Sequence, residues 1–560
     1  MPYPSYAVLA LIPAVAWLLY IPISQWRFKR YAHIPSKLSS NLFIGHLGHI
    51  AAEYRKAGFS STVHPDYVFE NIWNAQGSPE FMFFDTRPVQ YPLVLITSHE
   101  MAEQVSRASK TQQYSVTKSP TVQQGFGELI GRFSLISENG ESWRGLRKTF
   151  NPGFAPQHLL TLLPVIVDKT RTLIERLDAL ATSEVAAEME SYCTDVTFDI
   201  IGDVVTNIDC RAQDKSEQAH DIVRNFRTLK AVYTGDNGLM ASWLNLPLRV
   251  KKYIYSQRLD LAVKKCIVEK FTDIRDTQDS GTKEKKDRSV LALALEGIDE
   301  LTPYVLQSIA DQVKSFLFAG HDTTAILLQR LFYALSIHPH CLTKIRAEHD
   351  AVFADSEPHD VFLKRPDETM KALKYTSACI KEALQLWPPA ASARMSHNGF
   401  KLRTSDGDDV CVDKCVIYLC HHIIQRDPKV YGETANDFVP ERWVGDSDTS
   451  SASTEDDGST TGESKIPISA WRAFERGPRN CIGQELANME ARVILACVMR
   501  RYDFVKVGLG EVETDEAGHP VMDQKGKYRT KSELINTMSI TSRPVDKTIM
   551  RIKFRHSADR

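Results

Sequence analysis

The stretch from Thr302 to Pro339 limits what this chain can become. Thr302 and Pro303 form a cap and first-turn signal, and no strong breaker follows until Pro339, so a single helix of unusual length is predicted. In its middle lies Ala319-Gly320-His321-Asp322-Thr323-Thr324. Gly320 lowers helix stability and the threonines compete for backbone hydrogen bonds, so such a cluster inside a buried helix needs a chemical reason. The plain alternative is a kinked helix with polar residues turned to solvent.

A second stretch, Phe474 to Gly483, presents one cysteine, Cys481, on a glycine-bearing loop directly ahead of a helix. The helix starting near Gly483 aims its N–H groups and positive dipole end at the sulfur, which favours thiolate over thiol. A buried thiolate is a soft, electron-rich metal ligand, and Phe474 and Ile482 would screen it from water; haem iron suits that description. The alternative, a small buried hydrophobe, is the reading for the other nine cysteines. Cys411, Cys415 and Cys420 lie among alternating apolar residues without the C-x-x-C pairs of a zinc site, and read as strand residues in a reducing compartment. The 560 residues, 43% of them hydrophobic, can bury a large core, and a net charge of −2 gives no reason to expect nucleic acid.

Phe474, Gly477, Arg479, Cys481 and Gly483 form the pattern F-x-x-G-x-R-x-C-x-G, which resembles the haem-binding loop of the cytochromes P450. The resemblance implies a mainly α (α+β) fold with a long central helix and minor β-sheets, and haem b held by Cys481 as the thiolate ligand to iron. Ala319 to Thr324 match A-G-x-D-T-T, where a locally widened helix makes room for dioxygen; Asp322 becomes the proton-relay acid and Thr323 the hydroxyl that holds oxygen or its water, with His321 a spacer. Trp143 and Arg147, four apart on one helical face, match a W-x-x-x-R pair that grips a haem propionate. Arg394 and Arg479 would also reach propionates; both could instead be surface arginines. The chain departs from the family at E-x-x-R, having Glu382 but Gln385. Phe438 to Trp443 retain Arg442, so Glu382 can pair with Arg442 while Gln385 offers only neutral hydrogen bonds, and core stability or haem retention is expected to be weaker.

Residues 6–23 are uncharged and about long enough to cross a bilayer, and Arg27, Lys29 and Arg30 follow at once. Residues 1–26 therefore read as an N-terminal transmembrane anchor, 27–50 as a hinge, and 51–560 as the haem domain. Strands are expected between Glu80 and Ser98, helices from Gln157 to Lys270, and a solvated loop from Asp276 to Arg288. The acidic, Ser/Thr-rich run 445–464 reads as a disordered insertion. Gly125-Phe126-Gly127 does not complete a nucleotide-binding fingerprint.

The expected function is monooxygenation of a lipophilic substrate by dioxygen, a tailoring step on a terpenoid or polyketide. Electrons would come from NADPH through NADPH-cytochrome P450 reductase at the endoplasmic reticulum membrane, the single-pass chain keeping its haem domain cytosolic. Residues 121–133 with Phe316, Phe318, Ala319, Ala390, Ala391 and Met538 to Thr541 would form an apolar pocket. Arg144, Lys148, Arg472 and Arg476 are candidates for docking the reductase, or are a solvated charged face. Two alternatives stand: a P450-type isomerase or dehydratase, which would not need the Asp322-Thr323 pair, and a catalytically impaired haem-binding membrane protein, for which Gln385 is the support.

Overall fold

The structure, a computed structural model, describes residues 6–56, 63–109, 112–214, 217–234, 246–280, 287–445, 466–538 and 540–555. The helices that build the site are α1 (Tyr6–Ser24), α2 (His99–Ser106), α3 (Pro120–Ile130), α4 (Gly140–Phe150), α5 (Pro156–Ser183), α6 (Met189–Thr206), α7 (Asp221–Thr234), α8 (Leu246–Ser280), α9 (Pro303–Ile337), α10 (Lys374–Leu386) and α11 (Gln484–Val498). The strands are β1 (Phe81–Phe84), β2 (Leu93–Ile96), β3 (Ser392–Met395), β4 (Val416–Leu419), β5 (Tyr502–Lys506), β6 (Asn536–Met538), β7 (Ser542–Pro544) and β8 (Ile549–Phe554).

The predicted long helix is α9, capped by Thr302, whose side chain accepts from Val305 N–H, with Pro303 in its first turn. It runs through the largest apolar cluster, to which α5, α6, α10 and α11 all contribute. Gly320 has a packing reason. A Cβ there would lie 2.6 Å from the Ile201 side chain of α6, so the glycine lets the two helices approach closely. Gly320→Ala should destabilise the protein by about 1–3 kcal/mol in urea unfolding, and Ile201→Val should recover part of that loss; full stability in the single variant would refute this account.

The expected N-terminal strands are β1 and β2, an antiparallel pair within a sheet of order β1-β2-β4-β3. Cys411 ends a short strand, Cys415 and Cys420 flank β4, and all ten cysteines are free. The loop expected from Asp276 begins later, because α8 continues to Ser280; residues 281–286 lie outside the described residues, as does nearly all of the 445–464 insertion. Gly125 to Gly127 are a turn of α3.

Among the described residues no helix is long and apolar enough to cross a membrane. Side chains of α1 are described only from Val15, which leaves out half of the apolar run 6–23. Trp17, Leu18, Leu19 and Tyr20 are exposed. The segment after α1 is tied down. Arg27 is buried, pairs with Asp85 at 2.7 Å and donates to the carbonyls of Leu42, Phe43 and Arg87. Arg87, itself paired with Asp85 at 2.7 Å, lies over the Trp26 ring.

Candidate active site

Cys481 is the one cysteine of the ten with an exposed side chain. Its loop is held from several sides. Gly477 has φ +71°, and a Cβ on it would lie 2.2 Å from the Ser106 carbonyl of α2. Glu475 accepts from the Ser106 hydroxyl at 2.8 Å and from Arg476 N–H, and it pairs with buried Arg472 and with His421 at 3.3 Å. Arg472 in turn pairs with Glu103 of α2 at 2.8 Å. From the other side Arg147 donates to the Asn480 carbonyl at 2.7 Å and to its side-chain oxygen at 2.8 Å, so α4 clasps the residue before the cysteine. Cys481 keeps accessible surface although protein surrounds its loop; that enclosure pushes the thiol above its ordinary range, while the Gly483 N–H and the Arg147 charge act in the thiolate's favour.

Arg394 and Arg479 are both buried, which removes the surface-arginine alternative. Arg479 lies over the Trp143 ring at 4.7 Å and donates to the Glu138 carbonyl. Lys118 pairs by a backbone bridge with Arg394, and its amine lies 3.3 Å from the Ser392 hydroxyl. Burial, Arg394 and Arg479 drive that amine well below the ordinary lysine range, and burial with Arg394 and Arg147 lowers Arg479 to about 9. The carboxylate that both Lys118 and Arg394 sense, Glu475, is already committed to Arg472 and His421. Arg394 Nη2 and Arg479 Nε have no hydrogen-bond partner. Two buried arginines and a half-buried lysine this poorly compensated fit an anionic ligand, such as the carboxylates of haem. Lys118 was not singled out in the sequence; its place follows from pairing with Arg394, 276 positions away by number, which no local pattern signals.

Between Asp311 and Leu335, α9 is buried except at Phe318, Ala319, Gly320 and Thr323. Phe318 stacks on Phe126 of α3, with centroids 6.1 Å apart. Phe316, expected in the pocket wall, turns the other way and packs between Phe150 and Phe154 at 5.1 Å from each, because two residues along a helix is more than half a turn. Thr323 donates to the Ala319 carbonyl at 2.7 Å, and Ala390, Ala391 and Met538 keep accessible surface.

Asp322, one position before Thr323, is buried. Its carboxylate receives Lys230 Nζ of α7 at 2.7 Å, Arg543 Nη2 of β7 at 3.0 Å from both oxygens, and the Thr541 hydroxyl. Arg543 also pairs with Glu190 of α6. Lys230 and Arg543 hold the carboxyl well below the ordinary range against the effect of burial. His321 is more than a spacer: it packs on Phe198 and Phe226, its Nδ1 lies 2.7 Å from the Leu317 carbonyl, and burial with Lys230 lowers it to about 3, so it is neutral.

Glu382 is fully buried and accepts from Val439 N–H at 2.7 Å, Trp443 Nε1 at 2.6 Å and Arg442 Nε at 3.2 Å. Gln385 donates to the carbonyls of Gln425 and Ala435, and its own side-chain oxygen has no partner. Burial raises Glu382 to about 7 in spite of Arg442. The docking candidates divide. Arg472 is fully buried and Arg476 is engaged by Glu103 at 3.1 Å, so these two serve the loop and not a partner, whereas Arg144 and Lys148 are exposed.

A long helix with an accessible polar notch, a pinned cysteine loop and nearby buried arginines are features that suit a haem-thiolate oxidoreductase. The cytochrome P450 family profile matches residues 68–531, and the chain belongs to that family. Members bind haem iron through a cysteine thiolate, and the protein is a monooxygenase of this family. It is 30% identical to cytochrome P450 monooxygenase acrF of Aspergillus aculeatus over 79% of this chain and 88% of that one. It is 27% identical to cytochrome P450 monooxygenase polC of Polytolypa hystricis, covering 79% and 76%, and 28% identical to a cytokinin hydroxylase of Arabidopsis thaliana, covering 79% and 78%.

Proposed function

We propose that the chain inserts one oxygen atom from dioxygen into a lipophilic substrate, a terpenoid or polyketide, with haem held by Cys481. The observation that carries this is the accessible Cys481 on the loop that also holds Arg479, which like Arg394, the backbone partner of Lys118, keeps a guanidinium nitrogen without a hydrogen-bond partner. Those cations, with Trp143 and Arg147, would hold the haem carboxylates, while Phe474 and Ile482 keep water from the sulfur. When bound, haem supplies the reductive activation of dioxygen and the transfer of one oxygen atom to carbon. Thr323 sits at the pocket end of the proton path, Asp322 carries the protons, and Lys230 connects Asp322 towards the surface. Phe318, Ala319, Ala390, Ala391, Ile540 and Met538 give the substrate an apolar wall.

Electrons come from NADPH through a flavoprotein reductase, docked on the exposed Arg144 and Lys148 of α4. The exposed apolar side chains of α1 support anchoring in the endoplasmic reticulum membrane.

The reduced, carbon-monoxide-bound absorption spectrum tests the site. A thiolate-type Soret band is expected in the full chain and its loss in Cys481→Ala; a band that survives the substitution would rule Cys481 out as ligand. In reconstituted membranes, Arg144→Glu with Lys148→Glu should raise the reductase concentration for half-maximal NADPH oxidation several-fold, and an unchanged value would exclude that docking face.

A further inference from the structure

The last carbonyls of a helix have no partner within it, and at the end of α10 two neighbouring side chains satisfy them. Gln425, the fully buried C-cap of a short helix His421–Ile424, donates its side-chain N–H groups to the carbonyls of Leu384 at 3.0 Å and Gln385 at 3.1 Å. Arg426 donates to the Leu386 carbonyl at 2.6 Å. The other end of the Gln425 amide faces the cysteine loop, where its oxygen accepts from Arg472 N–H at 2.6 Å. From there the hold passes along the main chain, because the Arg472 carbonyl accepts from Glu475 N–H and the Phe474 carbonyl from Cys481 N–H, each at 2.8 Å. Gln385 contributes differently. Its side chain donates to the Gln425 and Ala435 carbonyls, which lie outside the cysteine loop.

Two donors and one acceptor are needed on a single planar group at position 425, which an uncharged amide supplies and a carboxylate or guanidinium does not. The charged and titratable side chains nearby are otherwise engaged. The Arg472 guanidinium pairs with Glu103 and Glu475, His421 pairs with Glu475, Arg426 donates to Asn436, and Glu382 bonds Arg442 and Trp443. We infer that Gln425 is the positioning residue of the thiolate ligand, a neutral joint that fixes the cysteine loop to the end of α10, so that residue 425 sets the place of Cys481 independently of the side chain at 385. This rests on the proposed role of Cys481 as haem ligand. It also explains how a chain with Gln385 at E-x-x-R keeps its cysteine loop in place.

Amide hydrogen exchange in the full haem-bound chain reads the joint directly. In Gln425→Leu the Arg472 N–H should exchange at least about tenfold faster, while Gln385→Met should leave it within about twofold of wild type. The reduced, carbon-monoxide-bound spectrum reads the effect on the ligand, and Gln425→Leu should move most of the thiolate-type band to the neutral-thiol position. Gln425→Glu keeps the shape and compares one folded protein with itself. The protonated acid can still donate to one carbonyl and accept from Arg472, whereas the ionised one faces two carbonyls with nothing to donate. Its thiolate share should therefore fall, relative to wild type, as pH rises from about 5 to about 9, opposite in sign to ionisation of the cysteine itself. An Arg472 N–H or a thiolate band unchanged in Gln425→Leu, a band in Gln425→Glu that follows wild type at every pH, or the same losses in Gln385→Met would each overturn the inference. A thiolate band that survives Cys481→Ala would instead overturn the ligand reading, a failure that exchange at Arg472 tells apart from a failure of the joint.

Discussion

Asp322→Ala is expected to lower folding stability by about 3 kcal/mol at neutral pH, because it leaves Lys230 and Arg543 around a buried site without their anion. The loss is predicted to exceed that of Thr323→Ala, whose hydroxyl bonds the Ala319 carbonyl of its own helix. Arg543 keeps Glu190, so the penalty falls mostly on Lys230, and adding Lys230→Met should recover much of it. The sign with pH follows from the depressed carboxyl. Its contribution is present above the ordinary aspartate range and is lost only as acid protonates the group, so wild type and variant should converge at low pH. Urea unfolding at several pH values measures this, and a difference below about 1 kcal/mol at pH 7 would mean that the ion pairs contribute nothing net.

The second large effect concerns Glu382. A carboxyl raised from 4.5 to about 7 binds more protons folded than unfolded, so its stabilising effect is complete below about pH 4.5 and disappears as pH rises to about 7. That amounts to about 3 kcal/mol across the window. Gln385→Arg places a guanidinium one helical turn from Glu382 and among the Gln425 and Ala435 carbonyls. It should bring the carboxyl back towards its ordinary range, raising stability at pH 8 by about 2 kcal/mol more than at pH 5, with slower haem loss at pH 8. Equal effects at both values would show that Gln385 does not govern this core.

Local chemistry made part of the molecule readable in advance. The cap at Thr302, the breaker at Pro339 and the glycines of the cysteine loop act within a few residues, and α9 and the Phe474–Gly483 loop follow from them. What depended on direction or distance did not follow. Phe316 and Phe318 are equally apolar, and only packing decides that the first is buried against Phe150 and the second stacks half-buried on Phe126. The partners of Asp322 lie 92 and 221 positions away, so its charged surroundings had no local signature. Arg472 reads as a surface charge until Glu103 and Glu475 are seen on either side of it.

The clamp at the root of α1 has a mechanical consequence. With Arg27 bound to Asp85 and to the carbonyls of Leu42, Phe43 and Arg87, the step from α1 into the β1–β2 sheet has no free joint. A tilt imposed on the base of α1 is transmitted to that sheet as a rotation of the body and is not absorbed by a swivel. Whatever fixes the axis of α1 therefore also sets the bearing of the β1–β2 sheet, and Arg27 is the pin on which that bearing turns.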